Sequence, residues 1–203
     1  MGKEVFDMIE KLTERWVERM IDTGVIEKER AALYAFGMEQ GLRTLVEIIL
    51  MLITSVVFGL FLQGIVMMIA FCSIRIYAGG YHARTPMQCA VKSWAMFTAF
   101  LLWLRYCPAY VTLQIAILVV TGLCLVFLCP LPDENKPLQD YEIQKYRKRS
   151  LYLYGIEVVL YVAGFFIWKG NLSRSIITGM GMLLLVWGVY VIKRWWQTRK
   201  QEC

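Results

Sequence analysis

From Thr44 to Ile74 the chain carries one charged side chain, Glu47, in a run that is otherwise almost wholly apolar. Unbroken apolar runs of ~18 or more residues are membrane-spanning signals, because no surface helix leaves all its faces apolar. A single crossing takes only ~20 residues, so this run holds two segments, with Gln63-Gly64 as the expected turn. The first, Thr44 to Leu62, is long enough to cross. The second, Gly64 to Ile76, spans thirteen residues. As a helix that is about 20 Å against a hydrocarbon core of ~30 Å, so it falls short unless it extends through the glycines that follow.

A second short piece, Trp94 to Leu104, lies beyond those glycines, and three conventional spans follow at Tyr110 to Cys129, Leu151 to Trp168 and Ser175 to Ile192. With 58% hydrophobic residues against ~45 to 50% in soluble domains, the composition agrees. The expected fold is all-α: a polytopic membrane protein of about six segments, two of them short, with two amphipathic helices at the N-terminus. It reads as one membrane domain over 1–203, with N-terminal helices in 1–43, a catalytic stretch in 75–92 and a basic cytoplasmic loop in 130–150.

Residues Lys3 to Asp22 place Val5, Ile9, Leu12, Trp16 and Met20 on one helical stripe, with Glu4, Asp7, Lys11, Glu14 and Glu18 opposite. A second helix is expected from about Lys28 to Arg43. These helices could hold a peptide, lie in the headgroup layer, or pack on each other or on a second subunit. Packing is the simplest reading, because the first helix is net acidic, unlike basic helices that bind anionic lipid. The sequence opens on no basic-then-apolar signal peptide, and Phe6 occupies the position where myristoylation needs Ser or Thr, so insertion is expected to rely on the internal segments.

With the N-terminus inside, six crossings leave only Arg105, Lys169 and Arg174 of the 22 Lys and Arg on the outer side. The positive-inside rule therefore places both termini, and residues 75–92, toward the cytoplasm. Tyr106, Tyr110, Trp168, Trp187, Trp195 and Trp196 read as interfacial anchors at span ends. Nucleic acid is not an expected partner, since no groove-reading motif accompanies the charge. Six cysteines, at 72, 89, 107, 124, 129 and 203, match neither a disulfide framework nor a zinc site.

The chemistry concentrates in Arg75-Ile-Tyr-Ala-Gly-Gly-Tyr-His82-Ala-Arg-Thr-Pro-Met-Gln-Cys89, which holds the sole histidine and a cysteine seven residues later. Thr85-Pro86-Met87-Gln88 reads as a helix start, with Thr85 as cap, Pro86 at the first helical position and Gln88 completing a capping box. Cys89 then lies in the first turn, where unpaired amides and the helix dipole favour a thiolate. On one unbroken helix His82 and Cys89 would stand about 10.5 Å apart along the axis, but the break at Pro86 removes that obstacle. Gly79 and Gly80 let the backbone fold closely, so imidazole and thiol can meet as base and nucleophile of an acyl-transfer site. The plainer alternative is a histidine satisfying a buried polar contact.

This stretch resembles the accessory gene regulator B (AgrB) family, through Arg75, Ala78, Gly79, Gly80, Tyr81, His82, Ala83 and Cys89. Pro132-Asp133-Glu134-Asn135-Lys136-Pro137-Leu138, followed by basic residues, resembles the family's second signature, and Tyr34-Ala-Phe-Gly37-Met-Glu-Gln40-Gly41-Leu is similar to its N-terminal region. The resemblance implies a membrane cysteine endopeptidase of the bacterial cytoplasmic membrane. Such an enzyme cuts a precursor signal peptide before its acidic C-terminal part and releases a cyclic thiolactone or lactone for quorum sensing. It implies His82 and Cys89 as catalytic residues and no cofactor. The other expected partners are the bilayer and a second copy of the chain in a homodimer.

Around this pair, Arg75 could neutralise an oxyanion or hold a substrate carboxylate, or could simply anchor at the interface. Lys136, Lys145, Arg147, Lys148 and Arg149 could bind an acidic peptide tail, as the resemblance favours, or contact lipid and set topology. Cys72 sits in an apolar segment with no helix start or base beside it, where burial raises a thiol's pKa, and reads as structural. One histidine and one cysteine are too few for zinc, so no metal is expected. Glu47 and Glu157 are intramembrane carboxylates. With the six segments they motivate the alternative of a small transporter or pore without protease activity. Gly179-Met-Gly181 is expected to permit close helix packing.

Overall fold

The computed structural model describes residues 2–80, 85–131, 139–167 and 170–202. Its elements are α1 (Gly2–Asp22), a 3-10 turn (Lys28–Arg30), α2 (Ala31–Val57), α3 (Phe61–Ala78), α4 (Pro86–Tyr106), α5 (Val111–Phe127), α6 (Asp140–Ile167) and α7 (Asn171–Glu202). Five helices, α2, α3, α4, α6 and α7, are long and apolar enough to cross a membrane, and α5 is apolar but has 17 residues. The all-helical, polytopic reading holds.

Its boundaries move in four places. The expected second N-terminal helix and the first span are one helix, α2, because nothing around Arg43 and Thr44 stops helix propagation. The following turn falls at Phe58 to Leu60, where Gly59 has φ 66°, while Gln63 lies inside α3. Gly64 serves packing instead: a Cβ there would stand 2.1 Å from Ser55 Oγ of α2. The two pieces expected to be short are helices of 18 and 21 residues, because Phe61 to Gln63 and Tyr77 to Ala78 extend α3 and Pro86 to Ser93 extend α4. The shortest apolar helix is α5. Finally, α6 starts at Asp140, so Lys145, Arg147, Lys148 and Arg149 stand on a helix and not in a loop.

The most buried span is α7, which packs on α3, α4, α5 and α6. Between lipid-facing helices, association rests on close van der Waals contact and interhelical hydrogen bonds, so small residues decide where backbones can approach. Gly179 is such a point, since a Cβ there would lie 2.6 Å from Met67 O and 3.0 Å from Ala70 Cβ of α3. Gly181 accommodates Phe100 of α4, 3.2 Å from where its Cβ would stand. The packing role expected for this pair is borne out. Polar contacts add to it. Ser73 Oγ of α3 donates to Glu157 Oε1 of α6 at 2.5 Å, and Tyr154 OH donates to Leu118 O of α5 at 2.8 Å. Trp94 Nε1 of α4 donates to Thr54 Oγ1 of α2 at 3.0 Å.

The bundle has two distinguishable ends. At one, Arg174 donates to Leu104 O and Cys107 O, at 3.0 and 2.8 Å, and closes the carbonyl end of α4, while Arg105 donates to Phe58 O. At the other, the end of α3 meets the segment after α5: Leu131 N–H donates to Ala78 O at 2.9 Å, and Gly79 and Leu131 pair as an isolated bridge. Arg75 to Gly80 and Thr85 to Cys89 belong to this second end.

At the N-terminus, α1 packs on α2, but its stripe differs from the expected one: Ile9, Thr13 and Val17 are buried, while Leu12 and Trp16 are exposed. Trp187 also departs from expectation. It is 2% exposed, in a cluster with Ile74, Ala78, Leu125, Cys129, Leu131 and Leu183, and is no interfacial anchor. Trp195 and Trp196 are exposed as anchors should be, with Arg199 over the Trp195 ring at 4.3 Å.

Candidate active site

The helix start written by Thr85-Pro86 forms, with Thr85 as its cap. Thr85 is extended, at φ −123° and ψ 146°, Pro86 opens α4, and Gln88 N–H donates to Thr85 Oγ1 at 3.3 Å. Cys89 N–H makes the first full helical bond, to Thr85 O at 3.1 Å, which places the half-buried Cys89 in the first turn. His82, with Tyr81, Ala83 and Arg84, lies outside the described residues, as does Lys136.

What the described residues bring together is Cys89 and Arg75. A cleft of about 330 Å³ is walled by Phe71 and Arg75 from α3, Cys89, Lys92, Ser93 and Met96 from α4, and Leu185, Val186 and Val189 from α7. The walls are mostly apolar, with one thiol and two cations among them. Arg75 is more than an interfacial charge: its Nη1 donates to Gly79 O at 3.3 Å, and its guanidinium lies 5.7 Å from the Phe71 ring centroid. It lines the cleft and ties off the end of its own helix.

Gly79 and Gly80 are required where they stand. Gly79, at φ 70° and ψ −156°, occupies a region essentially reserved for glycine, and a Cβ there would be 2.3 Å from Leu131 O. Gly80 has φ 132°, and its Cβ would stand 2.8 Å from Arg75 Nη1 and 3.1 Å from Val186 Cγ1. The glycine turn is thus pressed between the segment after α5, the Arg75 side chain and α7.

The basic residues of α6 divide into two kinds. Arg147 Nε donates to Cys129 O at 2.9 Å, and Arg149 stacks over Tyr77 of α3, 5.5 Å from its centroid. Lys145 and Lys148 are exposed. Arg147 and Arg149 therefore brace the end of α3 and the segment that pairs with Gly79. Among the other thiols, Cys129 is fully buried and Cys72 is exposed on α3. The burial expected for Cys72 is thus not provided by the neighbouring helices.

Sequence reading missed Lys92 and Trp187. The first was within reach, since a residue three after Cys89 on a helix shares its face. Trp187 was not, because its Nε1 donates to Gly79 O at 3.3 Å from 108 residues away.

The family model described as accessory gene regulator B matches residues 10–192 of the chain. The chain belongs to the accessory gene regulator B family. The match takes in the glycine turn, Cys89 and all the helices that wall the cleft. Membership connects this multi-pass membrane protein to quorum sensing and to the processing of an autoinducing peptide. No curated protein and no solved structure matches the chain.

Proposed function

We propose that the protein is a cysteine endopeptidase that cuts a precursor peptide and closes the released part into a ring. The observation that carries this reading is the placement of Cys89 in the capped first turn of α4, opening on a cleft shared with Arg75. A helix start favours an anion, a cleft can hold a peptide bond against the sulfur, and the sole histidine lies seven residues before that thiol.

In the reaction, His82 takes the Cys89 proton and the thiolate attacks the scissile carbonyl. The tetrahedral intermediate collapses as His82 returns the proton to the leaving amine, so the acidic C-terminal part departs and a thioester remains on Cys89. A Cys or Ser side chain of the same peptide then attacks that thioester. Its proton passes through His82 to the Cys89 sulfur, and the enzyme is regenerated as a thiolactone or lactone leaves. Arg75, on the cleft wall, is the cation assigned to the oxyanion. Lys145 and Lys148, with Lys136 before them in sequence, are the basic residues assigned to the acidic part of the precursor. The site end of the bundle faces the cytoplasm, as the distribution of Lys and Arg requires, and both termini lie on that side. The active form is a homodimer in the bacterial cytoplasmic membrane.

The test is precursor cleavage in membranes. Cys89→Ala and His82→Ala should each abolish it, while Cys72→Ala and Cys124→Ala should leave it near the parental rate. Cleavage that persists in the Cys89 variant would sink the reading.

A further inference from the structure

We infer that Trp187 is a positioning residue of this reaction, one that holds the Gly79-Gly80 turn, and with it the approach of His82, against the Cys89 cleft. The inference rests on the endopeptidase reading. An indole N–H is a donor only, so once buried it must find an acceptor in protein. Trp187 is 2% exposed, and its Nε1 donates to Gly79 O at 3.3 Å. The same carbonyl accepts from Arg75 Nη1 at 3.3 Å. One backbone oxygen thus receives a donor from α3 and a donor from α7.

That oxygen belongs to a glycine at φ 70°, whose backbone is free to take many conformations and is fixed by the contacts it makes. Three contacts fix it here: Arg75, Trp187 and the pairing with Leu131. The indole also walls the next residue, since a Cβ on Gly80 would lie 3.3 Å from Trp187 Cδ1. On the same helix Val186 and Val189 line the Cys89 cleft. α7 therefore contacts both the turn that precedes His82 in sequence and the cleft that contains Cys89. His82 follows Gly80 by two residues, a reach of at most ~7 Å, so a shift of the turn passes to the imidazole. Misplacement by about 1 Å can cost ~10²-fold in rate.

The experiment reads thiol reactivity, and so needs no precursor. The full-length protein in detergent is alkylated with iodoacetamide across pH, and the rate at Cys89 is followed by mass spectrometry of the tryptic peptide Thr85 to Lys92. Trp187→Phe removes the N–H and keeps a ring. A second variant carries benzothienylalanine at 187, which keeps the bicyclic outline and replaces N–H by sulfur. The His82→Ala protein supplies the uncoupled reference, and thermal unfolding of each protein shows that it is folded.

Both Trp187 variants should lose about tenfold in Cys89 alkylation at neutral pH and meet the parent near pH 10, where hydroxide in place of His82 can remove the proton. Their profiles then approach that of His82→Ala. A merely structural Trp187 would change the rate by one factor at every pH. That outcome, or a benzothienylalanine profile superimposed on the parent's, overturns the inference. A parental profile that already coincides with His82→Ala would instead remove the dyad, and the endopeptidase reading would fall with it.

Discussion

Gly79 is the residue whose identity is most tightly dictated. Its backbone lies in a region that costs other residues on the order of 1 to 3 kcal/mol, and a methyl group would meet Leu131 O at 2.3 Å. Gly79→Ala must therefore push the end of α3 away from the segment after α5. Cleavage should fall by at least ~100-fold, as misplacement near a reacting centre does, while the spans, which the turn does not build, remain inserted. A cleavage assay beside a protease-protection assay on membranes separates the two effects. Parental activity in Gly79→Ala would show that the turn does not control the site. At this scale the sequence is readable where the cause is local. Thr85, Pro86 and Gln88 specify a helix start by their own chemistry, and it forms at those residues. Trp187 shows the opposite case, because its role comes from an acceptor on another helix that no local pattern can announce.

At the scale of the helix, the spans were visible as apolar runs, but their ends were not. Counting apolar residues began α3 only at Gly64 and the next segment only at Trp94, since Gln63-Gly64 read as a turn and Lys92 and its neighbours as a boundary. Long cationic side chains can instead bury their stems and stay within a helix. Arg75 does so by turning back onto Gly79 O and Phe71. The basic stretch of α6 was misread for a related reason, as four equivalent charges. Its members now make separable predictions. Lys145→Glu with Lys148→Glu should weaken precursor capture, with a loss that shrinks as salt rises, because attraction between exposed charges is screened beyond ~8 Å at physiological ionic strength. Arg147→Ala should lower activity independently of salt, since its bond to Cys129 O acts at 2.9 Å. Capture and turnover measured across a salt series distinguish them, and an identical salt response in both variants would contradict the division. Gly179→Val tests the packing of α7: the added side chain meets Met67 O of α3, and overpacking of this kind costs ~1 to 3 kcal/mol. The thermal midpoint in detergent should drop, and an unchanged midpoint would mean that α3 and α7 are not held by close approach.

For the whole molecule, the arrangement of helices bears on what leaves the site. The cleft at Cys89 is walled by Phe71, Met96, Leu185, Val186 and Val189, with Arg75 and Lys92 the charged groups on its lining. It lies between three helices long and apolar enough to cross a membrane, so a thioester formed there should meet less water than one in bulk solvent, and its hydrolysis should be correspondingly slow. A side chain of the same peptide has no such handicap, because it is delivered with the acyl group it attacks. Effective molarities of well-oriented tethered groups reach ~10⁵ M or more, against about 55 M for bulk water, so the ring-closing nucleophile should win. The product is then predominantly cyclic. Mass spectrometry decides this directly, since the ring is lighter than the linear acid by one water. Replacing the precursor's internal Cys or Ser by Ala should leave the acyl group on Cys89, giving a slow linear product and a covalent adduct detectable on the tryptic peptide from Thr85 to Lys92. A linear acid formed at the parental rate from the intact precursor would mean that water reaches the thioester freely, and the protein would be an endopeptidase without cyclase activity.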